Sequence, residues 1–264
     1  MDMATLGAFE VQAGTRSGLL ILVTGDQRYK AILRRAFPQA GFTHSFPDRY
    51  GRYDWGTYIH DLADRAALER FLHLLTQHLC VFDDFDECFV LGRHGDWDPG
   101  VRDYVHTELG KLLRRAKPYG PGDGDTRAAD ELVARLADFI AAHPTYARAD
   151  SILPVPPSNP AKRYDLPRYL AQGLCERLGK ADGSSWAKKT RATRQQKEVH
   201  TFQEKVENVD GAFEVSGDVV GQTVIVLDDL YQSGATINEM GRTVRARGAK
   251  LVLGLAVTKT QKDV

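Results

Sequence analysis

The chain is poor in cysteine. Its 264 residues hold three, Cys80, Cys88 and Cys175. None stands in a C-x-x-C spacing, which excludes a zinc ribbon and a disulfide framework and leaves them as buried, reduced apolar side chains. The chain also lacks an excess of charge: 35 Lys and Arg face 35 Asp and Glu. That balance argues against a surface built as a whole to hold nucleic acid, so any grip on phosphate must be local. No apolar run approaches the roughly 20 residues that span a bilayer, and the opening stretch lacks the basic-then-apolar order of a signal peptide. The expected address is therefore the cytoplasm, with no membrane partner. Internal repeats and low-complexity tracts are missing too.

What is present is an ordinary globular composition, 42% hydrophobic and 27% charged, in a length that accommodates one large domain or two modest ones. Short apolar runs bounded by glycine or acid read as buried strands: Gly18 to Gly25, Cys88 to Gly92, Ser151 to Pro157, Ala212 to Val215, Thr223 to Leu227 and Leu251 to Val257. Three- and four-residue apolar spacings predict helices over Tyr29 to Phe37, Leu62 to Leu79, Val101 to Ala116, Thr126 to Ala142 and Leu166 to Leu178, with a further loop and helix over Asp228 to Arg247. Residues 42–58 show no clean period and read as loop or irregular strand. Apolar strands alternating with helices predict an α/β fold with a mostly parallel sheet.

The chemistry is concentrated in VIVLDDLYQSGAT, Val224 to Thr236. An apolar strand ends in two adjacent carboxylates, passes a short loop with two hydroxyls and a glycine, and enters a helix. In a parallel sheet, ligands bind beyond the carboxyl ends of the strands, where this loop falls. Backbone N–H groups at a helix start suit a phosphate monoester. Paired carboxylates accept hydrogen bonds from vicinal sugar hydroxyls and can meet a hydrated Mg²⁺. Either half alone reads as a strand end or a helix cap; the two in this order read as a binding motif.

These residues resemble the phosphoribosyl pyrophosphate (PRPP) motif of type I phosphoribosyltransferases. The stretches ADSILPVPPS, KKTRATRQQK and EKVENVDGAF extend the likeness to the ComF-like branch over Thr107 to Val257. The resemblance implies the sheet of that family, with an additional N-terminal α/β portion. It also implies a division into residues 1–100, unassigned and a candidate hood, and a phosphoribosyltransferase-like domain over 101–264. By position it assigns Asp228 and Asp229 as catalytic residues that hold the ribose hydroxyls and, through water, Mg²⁺. Tyr231, Gln232, Ser233, Gly234, Ala235 and Thr236 are assigned to the 5-phosphate. Val155, Pro156, Pro157 and Ser158 become the pyrophosphate loop; the two prolines have no N–H, so Val155 and Ser158 are expected to donate. Lys188, Lys189, Arg191, Arg194 and Lys197 occupy the place of the family's flexible basic loop, where they would neutralise a departing pyrophosphate.

Three departures stand out. The R-G-F-N-Q run of the ComF-like pattern is replaced by Arg163-Tyr164-Asp165-Leu166-Pro167, the N-terminal cysteine ribbon is absent, and Gln232 stands where Thr is frequent. A cluster of His94, Asp96, Trp97 and Asp98 offers stacking and hydrogen bonds to a heterocyclic acceptor; it also reads as a plain turn. The expected function is Mg²⁺-assisted transfer of the phosphoribosyl group from PRPP to a small nitrogenous acceptor with release of pyrophosphate. The alternative is a non-catalytic PRPP or nucleotide-binding regulatory module tied to DNA processing or competence. Balanced charge counts against nucleic acid as a direct ligand, and family members often form homodimers.

Overall fold

The computed structural model describes residues 2–14, 18–62, 64–117, 124–157, 164–194 and 201–261. Among them, seven strands form a central sheet in the order β1 (Asp2–Ala4), β6 (Leu79–Phe82), β7 (Glu87–Arg93), β15 (Leu251–Lys259), β14 (Thr223–Tyr231), β10 (Ser151–Pro154) and β11 (Ala181–Asp182). From β7 to β11 every pairing is parallel; β6 and β1 extend the β7 edge antiparallel. The architecture is α/β with a mostly parallel sheet, as the alternation of strand and helix predicts.

Period-2 geometry explains why β14 and β15 are apolar without interruption. Ile225, Leu227, Leu253 and Leu255 face one core. It is shared with α3 (Glu108–Ala116), α4 (Thr126–Ala142), α5 (Pro144–Ala147) and α6 (Leu166–Leu178). Val224, Val226, Val252 and Ala256 face the other core, with Ile237, Met240 and Val244 of α8 (Ala235–Ala246). A strand covered on both faces has no polar side to present.

A second, antiparallel sheet runs β2 (Phe9–Ala13), β3 (Leu19–Val23), β5 (Trp55–His60) and β4 (Gly41–Phe42). With α1 (Tyr29–Ala36) and α2 (Arg65–Gln77) it joins the first core. The smaller pieces are a hairpin of β8 (Gly95–Asp98) with β9 (Asp103–His106), a ribbon of β12 (Ala187–Lys189) with β13 (Phe213–Val215), and α7 (Phe202–Val209).

Two expectations change. The division at residue 100 runs through the central sheet: Phe89 and Val90 of β7 stand opposite Leu255 and Ala256 of β15. Without β7, the edge of the long, buried β15 would carry a row of unpaired backbone groups. The helix expected over Val101 to Ala116 begins only at Glu108, where the Thr107 side chain accepts from the Gly110 N–H at 3.0 Å; the residues before it form the β8–β9 hairpin. Among the described residues no helix is long and apolar enough to cross a membrane.

Glu87, at the start of β7, is fully enclosed. Arg35 of α1 donates Nε–H to its Oε1 at 2.7 Å, and His143 Nε2 lies 3.4 Å from its Oε2. Burial outweighs the Arg35 guanidinium and pushes the carboxyl up to about 7 from an ordinary 4.5. Burial also holds the His143 imidazole well below its usual value. A carboxyl that keeps its proton longer when folded stabilises the fold below the unfolded value of 4.5 and loses that contribution as pH rises to about 7. Glu87→Gln is therefore expected to gain on the wild type by on the order of 2–3 kcal/mol between about pH 5 and pH 7.5, read from urea midpoints.

Candidate functional site

The site is created by strands of unequal length. The β10 ladder ends with Pro154 opposite Leu227, whereas β14 continues beside β15 until Tyr231 meets Lys259. Past Leu227 the β10 side of β14 opens into a cleft of about 340 Å³. Asp228 and Asp229, expected at a strand end, thus lie within the strand, on its overhang.

The two carboxylates differ in surroundings. The Asp229 N–H donates to Asp228 Oδ1 at 2.8 Å, and the Lys117 ammonium meets Asp229 Oδ1 at 2.9 Å. Lys117 is the residue that ends α3, where its own N–H donates to the Leu113 carbonyl. Asp228 is held well above the ordinary carboxylate range, by burial first and the adjacent Asp229 charge second. Lys189, at the end of β12, is held below the usual ammonium range by burial, which the Asp228 charge partly offsets.

Gln232 to Thr236 form the wall opposite β10, and α8 starts there. Helices α2, α3, α4, α6 and α7 each open on an Asp or Thr side chain that accepts a first-turn N–H. Helix α8 opens instead on Gly234, at φ +78°, which has no side chain to cap it; the Ala235 N–H donates to Ser233 Oγ at 3.4 Å. First-turn N–H groups have no intrahelical partner, and together with the helix dipole they favour an anion at this end.

The structure sorts the expected residues. Asp228, Asp229 and Gln232 to Thr236 line the cleft, as do Val155, Pro156 and Pro157. Tyr231 borders it, but its side chain turns away: it is buried, and its hydroxyl donates to Asp83 Oδ2 at 2.9 Å. The Val155 N–H is not available to a ligand, because it donates to the Leu227 carbonyl at 2.8 Å and ends the β10 ladder. With two prolines following, residues 155–157 offer no backbone donor. Of the basic run, Lys189 and Arg194 reach the cleft. Lys188, one residue along β12 and so on its opposite face, pairs with Glu214 at 3.3 Å. Arg191 donates to the carbonyls of Asn208 and Asp210. Ser158, Arg163 and Lys197 lie outside the described residues.

Sequence reasoning missed Lys117 and Asp165, both of which line the cleft. Lys117 carries no local signal, since a Lys at the end of a helix is what the helix dipole favours on any surface. Asp165 appeared only as a break in the R-G-F-N-Q pattern; it caps α6 by accepting from the Arg168 N–H at 3.2 Å. The His94, Asp96, Trp97 and Asp98 cluster does not line the cleft. His94 bonds Thr258 Oγ1 at 3.0 Å, and Trp97 stands half exposed, edge-on to Tyr104 across the β8–β9 hairpin. Among the described residues that line the cleft, none precedes Lys117.

No family model matches the chain, and no curated protein does. Solved structures similar to it include the following two. Phosphoribosylpyrophosphate synthetase from Mycobacterium smegmatis is 23% identical over 50% of this chain and 33% of its own, at a TM-score of 0.31. The allosteric regulatory enzyme of purine biosynthesis is 11% identical over 91% of this chain and 45% of its own, at a TM-score of 0.36. The chain thus spans a third of one and under half of the other.

Gly234 is the most demanding position of the loop. Its φ of +78° strains any L side chain, and a Cβ there would collide with the Tyr231 hydroxyl. Gly234→Ala is expected to cost about 2 kcal/mol of stability or more, measured by denaturant unfolding.

Proposed function

We propose that the cleft binds PRPP and that the protein transfers its phosphoribosyl group to a small nitrogenous acceptor with release of pyrophosphate. One observation carries this reading. A glycine-started helix end and a pair of carboxylates share one cleft on the carboxyl edge of a parallel sheet with Lys117, Lys189 and Arg194. A phosphate monoester joined through a polyhydroxyl ring to a polyanionic leaving group matches that succession of donors, acceptors and cations.

In this reading Gln232 to Thr236 receive the 5-phosphate on backbone N–H groups and hydroxyls. Asp228 and Asp229 accept hydrogen bonds from the ribose hydroxyls, which fixes C1 toward the open side of the cleft. Transfer at C1 breaks the bond to pyrophosphate as positive charge develops on the ring, so the protein's task is to position the ring and stabilise the separating charges. With no N–H offered by residues 155–157, that stabilisation falls to Lys117, Lys189 and Arg194.

The residues fit a magnesium ion of one kind. Among the described residues no group of three or more His, Cys, Asp or Glu side chains forms a cage for a resident metal. Two adjacent carboxylates suit an ion that keeps its waters and takes further oxygens from phosphates. Asp228 and Asp229 would hold it, and it would supply charge neutralisation to the leaving group.

A second reading, a PRPP-binding regulatory module without turnover, is favoured by the Val155 N–H being committed to β14, which removes one expected donor to pyrophosphate. Incubation with PRPP, Mg²⁺ and a panel of bases and amines, following pyrophosphate release, separates the two. Turnover with one acceptor supports transfer; calorimetric binding without turnover supports the module. In either case Asp228→Asn combined with Asp229→Asn is expected to weaken Mg-PRPP binding by about 100-fold or more, with the protein still folded by circular dichroism. Unchanged affinity would rule out the site.

A further inference from the structure

We infer that Asp83, from the turn between β6 and β7, is a positioning residue for the 5-phosphate loop, acting through Tyr231 and Asn238. The inference rests on the ribose-phosphate reading of the cleft and gives part of the first hundred residues a task in it. Tyr231 is 1% exposed, so its hydroxyl needs partners inside the protein. It donates to Asp83 Oδ2 at 2.9 Å and accepts from Asn238 Nδ2 at 3.2 Å. Asn238 Nδ2 also donates to the Gly234 carbonyl at 2.9 Å, and Asn238 Oδ1 accepts from the Asp84 N–H at 3.3 Å. A connected path therefore runs from Asp83 to the peptide between Gly234 and Ala235. Because that peptide is planar and trans, fixing its C=O fixes the Ala235 N–H on the opposite side, toward Ser233 Oγ of the loop, which accepts it at 3.4 Å.

The rest of the turn holds the same helix along its flank. Asp84 pairs with Arg242 at 2.6 Å and Asp86 with Arg245 at 3.0 Å. The Phe85 ring lies so close to Gly241 and Gly254 that a Cβ at either glycine would collide with it. These contacts set the line of the α8 axis; the Asp83 path sets the first peptide on that axis. Asp83 does not line the cleft; Oδ2 reaches it through Tyr231 and Asn238, while Oδ1 accepts from the Phe85 N–H at 3.1 Å within the turn. A carboxylate acceptor gives a phenol a shorter and stronger hydrogen bond than a neutral group does, which suits a residue that must hold one rotamer.

The test separates a positioning role from a merely structural one by using two ligands that occupy different ends of the cleft. Ribose 5-phosphate and inorganic pyrophosphate are titrated separately by calorimetry into the wild type, Asp83→Ala, Asp83→Asn and Tyr231→Phe, with a thermal melt for each. Asp83→Ala and Tyr231→Phe are expected to weaken ribose 5-phosphate by about tenfold while pyrophosphate stays within about twofold. Asp83→Asn, which keeps an acceptor for the phenol, is expected to recover most of the loss. Should Asp83→Ala fail to fold, Tyr231→Phe alone decides, since it removes only the hydroxyl. Unchanged ribose 5-phosphate affinity in the folded variants, or an equal loss for both ligands, would overturn the inference. A wild type that binds neither ligand overturns the ribose-phosphate reading itself, and the positioning role with it.

Discussion

The cleft depends on a mismatch in strand length. Leu227 is the last residue of β14 with a β10 partner, and past it Asp228, Leu230 and Tyr231 continue the ladder with β15 alone among the described residues. Were β10 as long as its neighbour, Asp228 and Asp229 would be covered by a third strand. Were β15 shorter, the overhang would have no ladder to hold it straight. Parallel pairing with β15, itself paired to β7, gives the two carboxylates a rigid base while leaving one edge open to a ligand. Pro154, Pro156 and Pro157 help to end the short strand, because proline cannot donate to a ladder. The Val155 N–H makes the last bond across to Leu227. The same bond that terminates β10 withdraws a donor from the cleft and shifts the handling of negative charge onto side-chain cations.

Charge in the cleft is arranged by depth. Burial keeps the Asp228 carboxyl and the Lys189 ammonium each away from its ordinary ionisation range; the Lys117 charge partly restores the first and the Asp228 charge the second. Lys117 and Asp229 form a closer pair at 2.9 Å. Acids and bases in such proximity at a partly dry site are expensive unless paired, a need that the Lys117–Asp229 contact meets.

The sheet and the position of the loop after β14 were legible in the sequence, for a physical reason. Strands buried on both faces leave unbroken apolar runs, and the loop that follows carries glycine, hydroxyls and acids that no core would retain. The helix boundaries of α4 and α6 were equally plain, since Asp125 and Asp165 cap them. Other features depend on contacts that sequence spacing does not encode. The hairpin of β8 and β9 was hidden because Val101, Leu109, Leu112 and Leu113 mimic a helical stripe across its second strand. The pairing of β7 with β15 joins residues more than 160 positions apart, and nothing local to Cys88 or Phe89 announces it. Lys117 looks like a solvated helix end until α3 is seen to deliver it beside Asp229. Tyr231 stood inside a phosphate-binding pattern, yet burial turned its ring under Gly234 and toward Asp83.

The central claim is that a phosphate monoester on a sugar sits at the start of α8 with its ring over Asp228 and Asp229. The most direct measurement is the perturbation of backbone amide resonances when ribose 5-phosphate is added to isotope-labelled protein. The account predicts the largest shifts at Gln232 to Thr236, with smaller ones at Asp228 and Asp229 and none on the β8–β9 hairpin. Shifts confined to that hairpin or to the second sheet, with the amides of 232–236 unmoved at saturating ligand, would contradict it.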